Sequence, residues 1–220
     1  MAHILHIETA TKNCSVGVAR DGALVECQEL ATDGYAHAEK LHVFIQETIA
    51  KAGIEFRDLS AVAVSKGPGS YTGLRIGAST AKGLCFALGI PMIAVDTLEV
   101  LARQLSVTDG VIVPMLDARR MEVYSAVFSP SHKLIRGVQA EIITADSFSE
   151  TAGKVHIIGD CQSKIKTVLH SDQFVYHEAV VHPSAKEMVG LALDKFSRKE
   201  FEDVAYFEPF YLKDFIAGKS

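Results

Sequence analysis

The chain has 220 residues, 48% apolar and 22% charged, with 22 Lys and Arg against 27 Asp and Glu for a net charge of −5. At about 150 residues per domain this is one or two domains, and a chain of this size removes roughly 70% of its surface from water on folding. The ordinary apolar fraction excludes extended disorder, and the acidic balance is a poor footprint for gripping phosphate backbones unaided.

Residues 3–8 read as a buried strand, and residues 15–20 as a second that ends in the turn signal Asp21-Gly22. Residues 24–30 return as a third strand, so the chain opens on an antiparallel meander. A helix is expected over 36–52, because Leu41, Phe44, Ile45, Thr48, Ile49 and Ala52 form one stripe at three- and four-residue spacing. Gly53 stops it. A strand at 61–64 runs into the loop Ser65-Lys66-Gly67-Pro68-Gly69-Ser70-Tyr71-Thr72-Gly73. A second helix follows over 74–88, closed by Gly89 and Pro91, then a strand at 92–95 and a helix over 96–105. A second unit begins near Gly110. It has strands at 111–116 and 122–128 around the turn Asp117-Ala118-Arg119-Arg120, an extended stretch at 133–143, a strand at 155–160 and a helix at 184–196. Each half starts with paired strands and continues in alternation of helix and strand, which suggests a duplicated α/β design with a worn second copy.

The glycine loop is the densest motif. A strand, a glycine loop and a helix N-terminus gather free N–H groups that suit an anion. The spacing here is G-x-G-x-x-x-G, which matches neither the dinucleotide fingerprint nor the Walker loop, so a tight structural loop is the better reading. Gly73, Gly77, Ala81 and Cys85 recur every four residues and make a small-residue stripe, which suits close approach by the protein's own sheet or by a partner's helix. The nine histidines include no H-x-x-x-H or H-E-x-x-H, so no metal site is expected, and no G-x-S-x-G elbow supports a serine hydrolase. Cys14, Cys27, Cys85 and Cys161 make no C-x-x-C pair and read as buried free thiols in a reducing compartment. The amino terminus lacks the pattern of a signal peptide, and the longest apolar-rich stretch, 83–95, is too short to span a bilayer. A cytoplasmic protein without membrane contact is expected.

The run from Ser65 to Gly77 closely resembles the signature of the TsaB/YeaZ family, which belongs with the TsaD proteins in the actin-like superfamily. Residues 4–9, His37-Ala38-Glu39, Asp117-Ala118-Arg119 with Glu122-Val123-Tyr124, and Pro209-Phe210-Tyr211-Leu212 also look like this family's pattern. The resemblance spans essentially the whole chain and implies an α/β, actin-like (ribonuclease H-like) fold. Its two lobes of mixed sheets are expected at 1–105, joined by the segment 204–220, and at a reduced 106–203.

The resemblance also separates two roles. TsaD proteins bind a metal through an H-x-x-x-H, and here Thr97 and Leu101 stand where those histidines would be. Asp117-Ala118-Arg119 stands where TsaD has a Ser-Gly-Gly phosphate hairpin, and the chain ends at Ser220, before an adenosine-binding segment. These differences resemble the catalytically inactive paralogue, with no cofactor and no metal. The implied role is a scaffold in adding threonylcarbamoyl to N6 of adenosine 37 in tRNAs reading codons that start with A. The implied partners are a TsaD-type catalytic paralogue and a TsaE-type ATPase, with tRNA reached only through the complex and a homodimer when the partner is absent. The implied interface lies on the first two helices, with His37, Leu41, Ile45, Gly73, Leu74, Gly77, Ala81 and Cys85 as expected contact residues. The alternative is an enzyme of the same superfamily, metallopeptidase-like or an ATPase.

Overall fold

The computed structural model describes residues 1–32 and 37–212. Two five-stranded mixed sheets form the framework. The first is built from β1 (His3–Glu8), β2 (Asn13–Arg20), β3 (Ala23–Ala31), β4 (Leu59–Ser65) and β5 (Met92–Val95) in the order β3-β2-β1-β4-β5. The β1–β2 and β2–β3 pairs are antiparallel, and the β1–β4 and β4–β5 pairs parallel. The second sheet, of β6 (Val111–Asp117), β7 (Glu122–Phe128), β8 (Leu134–Ile142), β9 (Val155–Gly159) and β10 (Phe174–Tyr176), has the order β10-β9-β6-β7-β8. Its pairs repeat the same sequence of antiparallel and parallel joins. The halves are therefore two copies of one topology, as the echo in the sequence suggested.

The helices are α1 (His37–Lys51), α2 (Tyr71–Leu88), α3 (Thr97–Ala102), α4 (Gln162–Ile165) and α5 (Met188–Ser197). In the first unit, Leu5, Ile7, Val16, Val18, Val62, Val64 and Met92 present one face of the sheet to Leu41, Ile45 and Ile49 of α1 and to Ala78, Ala81 and Cys85 of α2. This face follows from alternation along each strand meeting a helical stripe. Helix α2 starts at Ser70, whose side chain accepts from the Gly73 N–H, and ends at Gly89, left-handed at φ 66°.

The chain divides into one unit of Met1–Thr97 with the segment from Ser184 onward, and a second of Leu98–Pro183. These boundaries differ from the expected 105 and 204. Leu98, Leu101 and Ala102 of α3 are buried among Ile112, Leu116 and Ile158 of the second unit's sheet. Helix α5 packs against β1, β4 and β5 instead, and the Ala185 N–H just before it donates to Ser15 Oγ at 3.0 Å. Strand β10 escaped the sequence reading, because three half-buried residues carry no alternation to detect.

Candidate functional site: the glycine loop and the outer helix face

The loop between β4 and α2 spends its backbone groups on this chain. The Lys66 N–H donates to Val95 O (2.8 Å), Ser70 N–H to Ala10 O (2.7 Å) and Phe210 N–H to Lys66 O (2.7 Å). The Gly67 N–H donates to Thr97 Oγ1 at 3.1 Å, and Thr97 N–H returns to Gly67 O at 3.1 Å. A Cβ on Gly69 would lie 2.4 Å from Ala10 O, so glycine is required by the backbone of the β1–β2 turn. This is the tight structural loop expected, seated on the ends of β1 and β5.

The small-residue stripe of α2 faces the same way. Gly73, Leu74, Gly77, Ala81 and Cys85 are all buried, as are Leu41 and Ile45 of α1. A Cβ on Gly77 would sit 2.3 Å from Thr9 Oγ1, and that hydroxyl donates to Gly73 O at 2.8 Å. These seven residues pack into this chain's own core, and the stripe lets α2 press onto its own β1 and β4. The side chain of His37 lies outside the described ones. Burial also pushes the Cys85 thiol up to about 11, so it carries no thiolate at neutral pH.

The face a partner could reach is the opposite one. Phe86 lies nine residues after Gly77, two and a half helical turns, and so points away from the sheet. Its side chain is 87% exposed. Exposed Gly83, Ala87 and Arg75 share this outer surface of α2, and Val43 is exposed on α1. Lys82 Nζ donates to Ala205 O (3.0 Å) and Phe207 O (3.1 Å), which fastens the 205–207 segment beside α2 and brings in Tyr206, 84% exposed. At the start of α2 the Arg75 guanidinium lies 4.3 Å over the Tyr71 ring, which is 5.0 Å from the Tyr211 ring. The sequence reading missed Phe86 and Tyr206, although the phase of the glycine stripe already assigned Phe86 to the outside.

Thr97, Leu101 and the β6–β7 hairpin are held by this chain's own packing and hydrogen bonds. Thr97 is fully buried and its hydroxyl holds the glycine loop, while Leu101 fills the core of the second unit. At the β6–β7 hairpin, Asp117 N–H donates to Asp160 Oδ1 (2.8 Å), Ala118 N–H to Glu122 O (3.1 Å) and Arg119 N–H to Asp117 Oδ1 (2.8 Å). Lys164 Nζ closes the hairpin by donating to Asp117 Oδ1 (2.6 Å), Arg120 O (2.7 Å) and Glu122 O (3.0 Å). No N–H of residues 117–119 is left for a phosphate. Burial raises the Asp160 carboxyl, while the Asp117 N–H hydrogen bond pulls it back down. Among the described residues, no three His, Cys, Asp or Glu side chains gather in a form that could hold a metal ion, and no helix is long and apolar enough to cross a membrane.

The family model described as TsaD, tRNA N6-adenosine threonylcarbamoyltransferase, matches residues 32–208. The tRNA threonylcarbamoyladenosine biosynthesis protein TsaB of Escherichia coli is 29% identical, with 98% of this chain and 96% of that protein covered. The protein of the same name from Bacillus subtilis is 30% identical, covering 96% and 93%. The chain belongs to the TsaB/YeaZ family. The fold agrees: YeaZ from Pseudomonas aeruginosa superposes with a TM-score of 0.84 at 24% identity, over 96% of this chain and all of that one. Component A of (R)-2-hydroxyglutaryl-CoA dehydratase from Acidaminococcus fermentans matches with a TM-score of 0.51 at 9% identity, a likeness of architecture alone. Within the TsaB/YeaZ framework, Thr97, Leu101 and the filled hairpin are fold-building positions.

Proposed function

We propose that this chain is a non-catalytic subunit in tRNA threonylcarbamoyladenosine biosynthesis, binding a TsaD-type catalytic paralogue through the outer face of α1 and α2. The observation that carries this reading is Phe86, an aromatic ring 87% exposed on a helix whose inner side is fully packed. Large exposed aromatic side chains are the residues that anchor interfaces. Val43 and Tyr206 extend the apolar surface, and Gly83 leaves room for a close approach. The names of the E. coli and B. subtilis relatives supply the pathway. The occupied hairpin and the roles of Thr97 and Leu101 support a subunit without its own phosphate or metal chemistry. The net charge of −5 fits a chain that leaves tRNA to its partner. The TsaE-type ATPase joins through the assembled pair, and two copies of this chain meet on the same face when the paralogue is absent.

Phe86→Asp tests the assignment. The variant is expected to melt within about 1 °C of the parent, because an exposed side chain contributes little to folding. Its affinity for the paralogue, read by calorimetry, is expected to fall at least ~30-fold, the loss of an interface anchor. Unchanged affinity would place the contact elsewhere. In cells lacking the parent gene, the variant is expected to leave tRNA without the threonylcarbamoyl group.

A further inference from the structure

The second unit carries an arrangement of histidines that the sequence spacing concealed. His156 lies in β9 and pairs with Val175 of the parallel strand β10. His177 is two residues beyond Val175, so its side chain emerges on the same face as that of His156. The Nδ1 of His156 and Nε2 of His177 are 3.0 Å apart, and the ring centroids 5.2 Å. Two imidazoles on one tetrahedral zinc, each about 2.0 Å from the metal, bring their nitrogens about 3.3 Å apart. The pair is thus within a few tenths of an ångström of a bidentate nitrogen site.

The outer shell points the same way. His156 is 7% exposed, and its second nitrogen, Nε2, is buried with no hydrogen-bond partner. The Asp109 Oδ1 faces that nitrogen at 3.7 Å. A carboxylate there favours the tautomer protonated on Nε2, so the Nδ1 lone pair accepts the hydrogen bond of the His177 Nε2–H, and a metal entering between the rings would take the place of that shared proton, the pattern of a metal-bound histidine backed by an acid. The backbone fixes the second imidazole. The His177 N–H donates to Ile157 O at 3.1 Å, and its carbonyl accepts from Gln162 Nε2 at 3.1 Å. Both rings are therefore positioned by the sheet rather than by a free loop.

We propose that His156 Nδ1 and His177 Nε2 form a binding site for a divalent transition metal of the zinc, nickel or copper class, with water completing its coordination. Imidazole pairs select this class over magnesium or calcium, which prefer oxygen ligands. The metal would clasp the end of the short edge strand β10 to β9.

The test is a titration of the full chain with zinc alone, followed by calorimetry, the melting temperature and the nitrogen resonances of the histidine side chains. The expected result is saturable binding that raises the melting temperature and moves the resonances of His156 and His177 together. His177→Ala, which removes a half-buried side chain and keeps the sheet, is expected to weaken binding at least tenfold. Changing the exposed His170 in His170→Ala should leave binding as it was. Absence of saturable binding overturns the proposal, and so does equal affinity in the parent and His177→Ala. If His177→Ala melts early, the paired resonance shifts in the parent chain decide: movement of other histidines without these two overturns the site.

Discussion

Gly77→Leu is expected to destabilise the first unit by about 3 kcal/mol, while the same change six residues later, Gly83→Leu, leaves the fold intact. At Gly77 even the first added carbon would lie 2.3 Å from Thr9 Oγ1, and Val64 Cγ2 waits at 3.5 Å. Making room means turning the Thr9 hydroxyl away from Gly73 O, and a leucine then adds three further carbons against a fully packed sheet. The gain in helix propensity over glycine, about 1 kcal/mol, offsets only part of this. At Gly83 an added carbon meets nothing within 4 Å. Thermal melts should separate the two by about 10 °C, taking 2–4 °C per kcal/mol for a chain of this size. The binding measurement should order them the other way. Gly83→Leu fills the outer face and weakens the paralogue's approach, whereas Gly77→Leu affects binding only through loss of folded protein. A Gly77→Leu chain that melts with the parent would return the stripe to the partner interface.

That contrast locates the limit of the sequence. The period of Gly73, Gly77, Ala81 and Cys85 establishes that one side of α2 is narrow, but a narrow side fits any close neighbour. Only the tertiary structure identifies it as β1 and β4. The outer side was legible by subtraction, since a residue half a turn out of phase with a buried stripe must face away. Phe86 was overlooked because a phenylalanine reads as core by composition. The His156–His177 pair had no such signal. Twenty-one residues separate the two rings, and they meet only through the parallel pairing of β9 with a three-residue strand that periodicity does not reveal.

The duplicated topology explains which parts of the second half were readable. Its sheet repeats the first strand for strand, and the apolar, mostly buried runs of β6 and β7 were found from sequence. Its helices did not persist. Where α2 runs 18 residues after β4, α4 runs four after β9, and residues 143–154 hold turns where the first unit has α1. The central strands β1, β4, β6 and β9 are buried almost end to end, which holds the pairing in both sheets, whereas a covering helix can shorten without breaking it. The first unit keeps long helices with an exposed Phe86 and Val43, which fits a surface retained for a partner.

Glu8→Gln is expected to raise stability at alkaline pH by roughly 3 kcal/mol and to leave it unchanged in acid. Glu8 is fully buried at the end of β1, and its Oε1 accepts from the Ala10 N–H at 2.6 Å. Burial pushes its carboxyl from 4.5 up to about 7, more than the Ala10 hydrogen bond restores. The folded chain therefore holds the proton more tightly than the unfolded one. Its contribution is fully present below pH 4.5, erodes as the pH rises, and is gone above about 7. His6, two residues earlier on the same strand face, works in the opposite sense. Burial lowers it from 6.5 to about 4, so its contribution is full above pH 6.5 and is lost as the pH falls to 4. Between pH 4.5 and 6.5 the two slopes cancel in the parent, and glutamine at position 8 removes one of them. The amide keeps an oxygen for the Ala10 N–H and carries no charge, so the variant should gain stability across this interval. The difference in melting temperature between variant and parent should grow from near zero at pH 4 to a plateau above pH 7. A difference that stays constant across that range would mean Glu8 is not the buried proton-holding group described.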